Sequence, residues 1–205
     1  DFLKDSQVVN ELMFSVSGGI LHTDLDISNF YMYSANYTQG GWFSWAAGGY
    51  AATYPQRGAN EDLTFIKRKE FSVNLRGQFF NNLLGLEGSF FVINNEGLLI
   101  NNSTKFPSYF STYYLESSLV PWLNFNNNRR VGFDFGVKIN KQIGEVNLIA
   151  GVNGTYYDTK ATKRDELNAD AYQNREGKAL DGIWGYRCAG FFNSEDEIKG
   201  WADQS

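Results

Sequence analysis

The chain is poor in the residues from which catalytic and metal sites are usually built. Its only cysteine is Cys188 and its only histidine is His22. One cysteine excludes an internal disulfide framework and a cysteine-built zinc site. One histidine leaves no multi-histidine metal site and no histidine relay. Net positive charge is lacking as well: 18 Lys and Arg against 23 Asp and Glu leave a formal charge of −5. That is the wrong sign for a nucleic-acid binder, whose phosphate contacts need a basic face. No apolar run reaches about 18 residues, so no transmembrane helix is expected. A transmembrane β-strand escapes that test, because its signal is alternation. Asp1 to Asp5 lack the charged and apolar parts of a leader, so the chain is expected to start inside a mature protein or a fragment.

What the chain has in excess points to strands and tight turns. Only 3 of its 205 residues are proline, while glycine and asparagine each number 21 and 17% are aromatic. Phe and Tyr suit a pleated surface, and Gly and Asn suit turns with left-handed backbone angles.

The clearest period of two runs from Leu63 to Phe79. From Phe71 onward the odd positions Phe71, Val73, Leu75 and Phe79 are apolar. The even positions Arg68, Glu70, Ser72, Asn74, Arg76 and Gln78 are polar. Asn81-Asn82 predicts a tight turn, and Leu84, Leu86, Phe90 and Val92 alternate with Gly85, Glu87 and Ser89 to complete a hairpin. A second hairpin follows from Val131, Phe133, Phe135, Val137 and Ile139, a turn over Gln142 to Glu145, then Val146, Leu148, Ala150 and Val152. A weaker third lies upstream, with Leu12, Phe14 and Val16, a turn at Gly18-Gly19, then Leu21, Thr23, Leu25 and Ile27. The count is about six strands.

Connections within hairpins are short. Those between hairpins are long, roughly residues 34–62, 95–129 and 161 to the end. Alternating short and long links are the pattern of an outer-membrane barrel, with short periplasmic turns and long external loops. The polar positions are small rather than solubilising, as Gly132, Gly136, Gly151, Ser72 and Asn74 illustrate, which suits a wet, crowded lumen. The expected fold is therefore all-β, a segment of an antiparallel transmembrane β-barrel. Its apolar face, from Phe71 to Val152, should meet lipid. Arg68, Glu70, Asn74, Arg76, Asp134, Lys138, Asn147 and Asn153 should face the lumen. Phe79, Phe80, Tyr156 and Tyr157 fit an interfacial aromatic girdle. The alternative is a soluble β-sandwich that binds carbohydrate, since alternation alone also fits a sandwich.

Candidate sites are few. Trp42, Trp45 and Tyr50 lie in the aromatic stretch from Gly40 to Tyr54, where flat rings could stack on sugars or peptides or simply pack the loop. His22, Asp24 and Asp26 form a small polar group, read as part of a polar lumen or loop base, with a cation or substrate site as the sharper alternative. Lys67, Arg68 and Lys69 are read as a solvated strand end above the membrane, with lipopolysaccharide contact as the sharper alternative. Ser194 and Glu197 fit a capping box opening a short helix from Glu195 to Trp201. No nucleophile–base pair or hydrolytic carboxylate pair stands out, so neither covalent chemistry nor a cofactor is expected.

Two segments resemble a known family. Asn60-Glu61-Asp62-Leu63-Thr64, followed by a strand, Phe79-Phe80-Asn81-Asn82 and Leu84-Gly85-Leu86-Glu87-Gly88-Ser89, resembles a hairpin of TonB-dependent outer-membrane receptors. Phe65 and Leu83 stand where Trp and Arg are usual. Arg175-Glu176-Gly177-Lys178 and Gly182 to Ile198 resemble the "E-G-x-P … Y-G-Y-x-x-D-G-I/L-F-Q-S-x-E-E-I" signature of SusC-like receptors of the Bacteroidetes, with Ala189 in place of the common Asp. The resemblance implies TonB-dependent import of a large nutrient, a glycan or a peptide, across the outer membrane. It implies a SusD-like surface lipoprotein and the TonB complex as partners. Residues 1–205 would then be a mid-to-late portion of the barrel, lacking the plug domain and the terminal strand. A non-energised porin is the third reading.

Overall fold

In the computed structural model, residues 6, 8–24, 30–45, 48–101, 104–111, 117–185, 187, 188, 190–192 and 194–201 are described. Asp1 to Asp5, Leu25, Asp26, Ile27, Tyr186, Ala189 and Asn193 lie outside them.

The fold is all-β and antiparallel. The strands are β1 (Val9–Thr23), β2 (Asn36–Trp45), β3 (Gly48–Arg57), β4 (Ile66–Phe79), β5 (Leu84–Ile100), β6 (Leu123–Ile143) and β7 (Val146–Lys163). One short helix, α1 (Glu195–Gly200), follows. The main sheet has the order β1-β4-β5-β6-β7, and β2 and β3 form a separate two-stranded ribbon. No helix among the described residues is long and apolar enough to cross a membrane.

The strand count and one turn differ from the expectation. Gly18-Gly19 is not a turn: β1 runs straight through it, with Gly18 opposite Phe71 and Gly19 opposite Glu70. The main sheet thus has five strands rather than about six. The reason lies in the apolar frame. Leu12, Phe14, Val16 and Ile20 keep one parity through the glycines, and β4 offers a continuous ladder of backbone partners. A glycine in a strand lacks only a side chain, so a Gly pair bends the chain only where no partner holds it straight. The stretch read as a loop over residues 34–62 likewise contains the β2–β3 ribbon.

The registers sort the side chains onto two faces. Val16, Val73, Phe90, Phe133 and Tyr156 follow one another across all five strands of the main sheet. Phe14, Leu75, Gly88, Phe135 and Gly154 form the next row. On the other face, Ser15, Asn74, Ser89, Asp134 and Thr155 stand in line. Phe133 and Asp134 therefore lie on opposite sides of the wall, as expected. Tyr157 differs from the expected girdle: it shares the polar face, where the Arg130 guanidinium lies 4.8 Å from its ring centroid.

Nothing among the described residues forms a second layer on the main sheet, so this is not a sandwich. The apolar row is exposed: Phe133 is 47% accessible, Phe14 66% and Val152 69%. The chain exposes 16078 Å², where a compact monomer of 23.2 kDa exposes about 9,700 Å². A sheet with two bare faces cannot gain enough burial to stand alone in water.

The two ends of the sheet differ. At one end, β4 and β5 are joined through Phe80, Asn81 and Asn82, all with positive φ of 55°, 55° and 65°. Asn tolerates that backbone region; a bulky Phe there is strained. The Phe80 amide donates to the Val8 carbonyl at 2.8 Å, which holds the strained turn against the start of β1. β6 and β7 turn over Gly144 and Glu145, with Gly144 at φ 62°. Both expected tight turns, at Asn81-Asn82 and over Gln142 to Gly144, share this end. The long connections all leave from the other.

Candidate functional site

Two places merit consideration: the polar face of the main sheet and the loop-bearing end. The polar face is hollow. An open trough of about 520 Å³ is lined by Ser15, Asn74, Arg76, Glu87, Ser89 and Asp134, among others. Two further hollows, of about 390 and 300 Å³, continue along the same face past Lys138 toward the short turns. Small side chains set that shape, since Gly85, Gly132, Gly136 and Gly151 leave the floor low. A Cβ on Gly132 would fall 2.5 Å from the Tyr156 carbonyl oxygen, so no larger residue fits there.

The trough side chains are tied to one another across strands. The Ser17 and Ser72 hydroxyls meet at 2.7 Å. Asn74 donates to the Ser15 hydroxyl at 3.2 Å and accepts from the Ser89 hydroxyl at 2.6 Å. Arg76 pairs with Glu87 across β4 and β5 at 3.2 Å, and Arg68 pairs with Glu70 at 3.1 Å. The described polar face is thus a set of mutually bonded hydroxyl, amide and oppositely charged side chains. Among the described residues no three His, Cys, Asp or Glu side chains are grouped to hold a metal ion.

At the loop-bearing end the asparagines of β6 act as staples. Asn124 donates from its amide to the carbonyls of Thr64 and Gly97, both at 2.8 Å, and accepts from the Thr64 amide at 2.8 Å. Gly97, at φ 75°, makes the bulge that lets β5 meet β6 there, and its amide donates to Asn127. Asn126 accepts from the Asp165 amide at 3.0 Å, and Arg164 donates to the Asn128 side chain and the Asn127 carbonyl. Burial pushes the Arg164 pKa down, and Glu166 opposes that shift. Strands disfavour asparagine, so the run Asn126-Asn127-Asn128 was a legible but unused sign that side chains there bind backbone.

The ribbon of β2 and β3 carries the predicted aromatic residues. Trp42 pairs in register with Ala51, Trp45 with Gly48, and Tyr50 with Phe43. By register, position 42 belongs to one face of the ribbon and positions 45 and 50 to the other. The side chains of Trp42, Phe43 and Trp45 lie outside what the structure describes; Tyr50 is exposed. The ribbon meets the 101–122 excursion closely. The Ser118 amide donates to the Pro55 carbonyl at 2.9 Å, and a Cβ on Gly58 would fall 2.1 Å from the Leu119 carbonyl oxygen. Asn60 reaches the Trp122 carbonyl at 2.7 Å.

The remaining sequence candidates are scattered. His22 ends β1 opposite Lys67, with Asp24 just beyond. Lys67 and Lys69 occupy the apolar-face parity of β4, and Arg68 the polar one. Cys188 is an exposed free thiol. Arg175 to Lys178 form a tight loop in which Glu166 accepts from the amides of Arg175 and Glu176, and Gly177 takes φ 82°. Lys178 and Gly177 pair with Ala161 of β7 through backbone hydrogen bonds. Asp181 accepts from the Thr159 hydroxyl at 2.8 Å, and that bond, with its own amide, holds its carboxyl below the usual range. The capping box forms as expected: Ser194 accepts from the Glu197 amide at 3.2 Å.

No protein-family model and no curated protein matches the chain. Solved structures do. The chain is similar to one in the structure of the RagAB peptide transporter, at 22% identity and a TM-score of 0.59, covering 80% of this chain and 17% of that one. It is also similar to one in the RagAB peptide importer in its "closed-closed" state, at 22% identity and a TM-score of 0.63, covering 86% and 19%. The chain spans less than a fifth of the length of either. At this identity the likeness is one of fold: the five-stranded sheet and its connections share the fold of part of those chains.

Proposed function

We propose that this chain is a stretch of barrel wall from a SusC-like, TonB-dependent receptor that imports a large nutrient, a peptide or a glycan, across the outer membrane. The observation that carries the reading is the single-layer sheet, bare on both faces, apolar on one side and polar and hollow on the other. Lipid would cover the first face and a water-filled or plugged lumen the second. On β6 the apolar positions run from Val131 to Ile139, close to the roughly 9–11 residues of a tilted membrane-spanning strand. The plug domain, the terminal strand and the strands beyond β1 and β7 would belong to the rest of the receptor. A SusD-like lipoprotein would sit over the long loops, and the TonB complex would act through the plug. The fold likeness to a peptide transporter and the two sequence motifs support this assignment. The barrel itself performs no covalent chemistry.

Topology tests the reading. In intact cells carrying the full receptor, cysteine at Tyr109 should react with an impermeant maleimide, and cysteine at Asn82 should react only after the outer membrane is opened. Labelling of Asn82→Cys from outside, with none at Tyr109→Cys, would reverse the proposed orientation.

Trp42, Trp45 and Tyr50 are proposed as substrate contacts on the external ribbon. Ring stacking contributes about 0.5–1.5 kcal/mol per pair. Trp45 and Tyr50 share one face of the ribbon, so changing those two to Ala should raise the substrate concentration for half-maximal uptake by about fivefold or more at an unchanged receptor level, with Trp42→Ala reporting on the other face. Unchanged uptake would show that these rings only pack the loop.

A further inference from the structure

The outward face of the sheet changes character abruptly just beyond its last apolar row. That row holds Val92 and Val131, in register on β5 and β6, and the acid Asp158 already stands beside them on β7. One step toward the long loops, Arg129 stands directly opposite Lys160. Both are exposed and both share the parity of the apolar face. One step further, Lys163 pairs in register with Asn127. The Lys163 ammonium lies 3.9 Å from the centroid of Phe125, and the Lys105 ammonium lies 3.7 Å from the same ring. Four cations thus gather at the outer rim of β6 and β7.

Like charges directly across a strand pair destabilise a sheet. The neighbouring strands show how this chain balances such charge: Lys69 pairs with Glu96 at 2.5 Å, and Glu96 is also in register with Lys67. Among the described residues no ion pair within 4 Å joins Arg129, Lys160 or Lys163 to an acid. Asp158 lies one row inward. The uncompensated pair sits where an apolar wall ends, which is where a bilayer presents its charged headgroups.

We propose that Arg129 and Lys160, with Lys163 beside them, form a binding site for the phosphate groups of an anionic lipid in the outer leaflet. The inference rests on the barrel-wall reading above and adds a ligand to its external rim. Guanidinium and ammonium groups at neighbouring register positions suit a phosphate monoester: Arg offers a planar fork of donors and Lys a point charge. The acyl chains would lie along Val131, Phe133 and Tyr156 below.

The test uses the full receptor in detergent micelles, with bisphosphorylated lipid A as the probe and retention read by native mass spectrometry. Wild type should retain lipid A. The double variant Arg129→Gln, Lys160→Gln should retain at least about tenfold less, as expected for loss of charged hydrogen bonds. The charge-preserving swap Arg129→Lys, Lys160→Arg should recover most of it. Lys141→Gln, on the same face at the short-turn end, should change nothing. Equal retention by wild type and double variant overturns the proposal, as does equal retention of a dephosphorylated lipid. Inorganic phosphate that displaces lipid A at low millimolar concentration would assign the site to a soluble anion and also overturn it. Heat-modifiable gel mobility reports the barrel separately: an intact barrel with unchanged lipid retention sinks only this inference. A receptor that stays monomeric without detergent sinks the wall reading as well.

Discussion

Residues 1–205, expressed alone in detergent-free buffer, should sediment as a broad aggregate rather than as a monomer of 23.2 kDa. Among the described residues only Met32, Ile66, Ala161 and Thr159 are buried, apart from Pro121 and three glycines. The apolar rows through Phe14, Phe133 and Val152 are open to solvent instead. β1 and β7 are the outer strands of the sheet; the loop from Gly177 to Asp181 bonds to β7 at Ala161 and at the Thr159 hydroxyl. Unpaired edges beside an apolar face recruit other chains, and in lipid they must be closed, because nothing there satisfies their hydrogen bonds. In the receptor those edges would pair with strands outside this segment. Sedimentation velocity on the purified fragment decides the matter. A monodisperse monomer that unfolds cooperatively without detergent would defeat the barrel reading.

The second large effect concerns the two sides of the wall. Phe135→Arg places a charge between Gly88 and Gly154 in the middle row of the apolar face, which runs from Val131 to Ile139 on β6. In the folded receptor this should cost about 2–4 kcal/mol. Asn153→Arg, on the hollow polar face opposite Gly136, should cost only a few tenths of that. Urea titration of refolding into lipid vesicles measures both. Equal costs for the two variants would mean that the two faces meet the same environment, which a membrane wall does not allow.

The sequence by itself determined the strands and their faces wherever an unbroken period of two was long. The middles of β4 through β7 were legible for that reason: Phe71 to Phe79 and Val131 to Ile139 leave one frame possible, and a slip by one residue would turn every Phe and Val to the wet side; the end of β5 to Ile100 and the start of β6 from Leu123 fall in the stretch read as a loop over 95–129. The two tight turns were legible because Asn81, Asn82 and Gly144 belong to the few residue types that accept positive φ without strain. The capping box at Ser194 and Glu197 was legible because its partners are local.

Tertiary structure decided what depends on a distant partner. Gly18-Gly19 reads equally as a turn or as mid-strand, and only the β4 ladder at Phe71 and Glu70 selects the strand. The β2–β3 ribbon was hidden because Gly41, at φ 72°, and Pro55 interrupt its period with bulges. The Asn124–Thr64–Gly97 staple joins residues far apart in the chain, which no local pattern reports. The cationic rim is the same case: Arg129 and Lys160 are unremarkable on their own strands, and only the β6–β7 register sets them side by side at the edge of an apolar wall. Local patterns specify which side of a strand each residue takes; which residues become neighbours across strands is set by pairing over long chain separations.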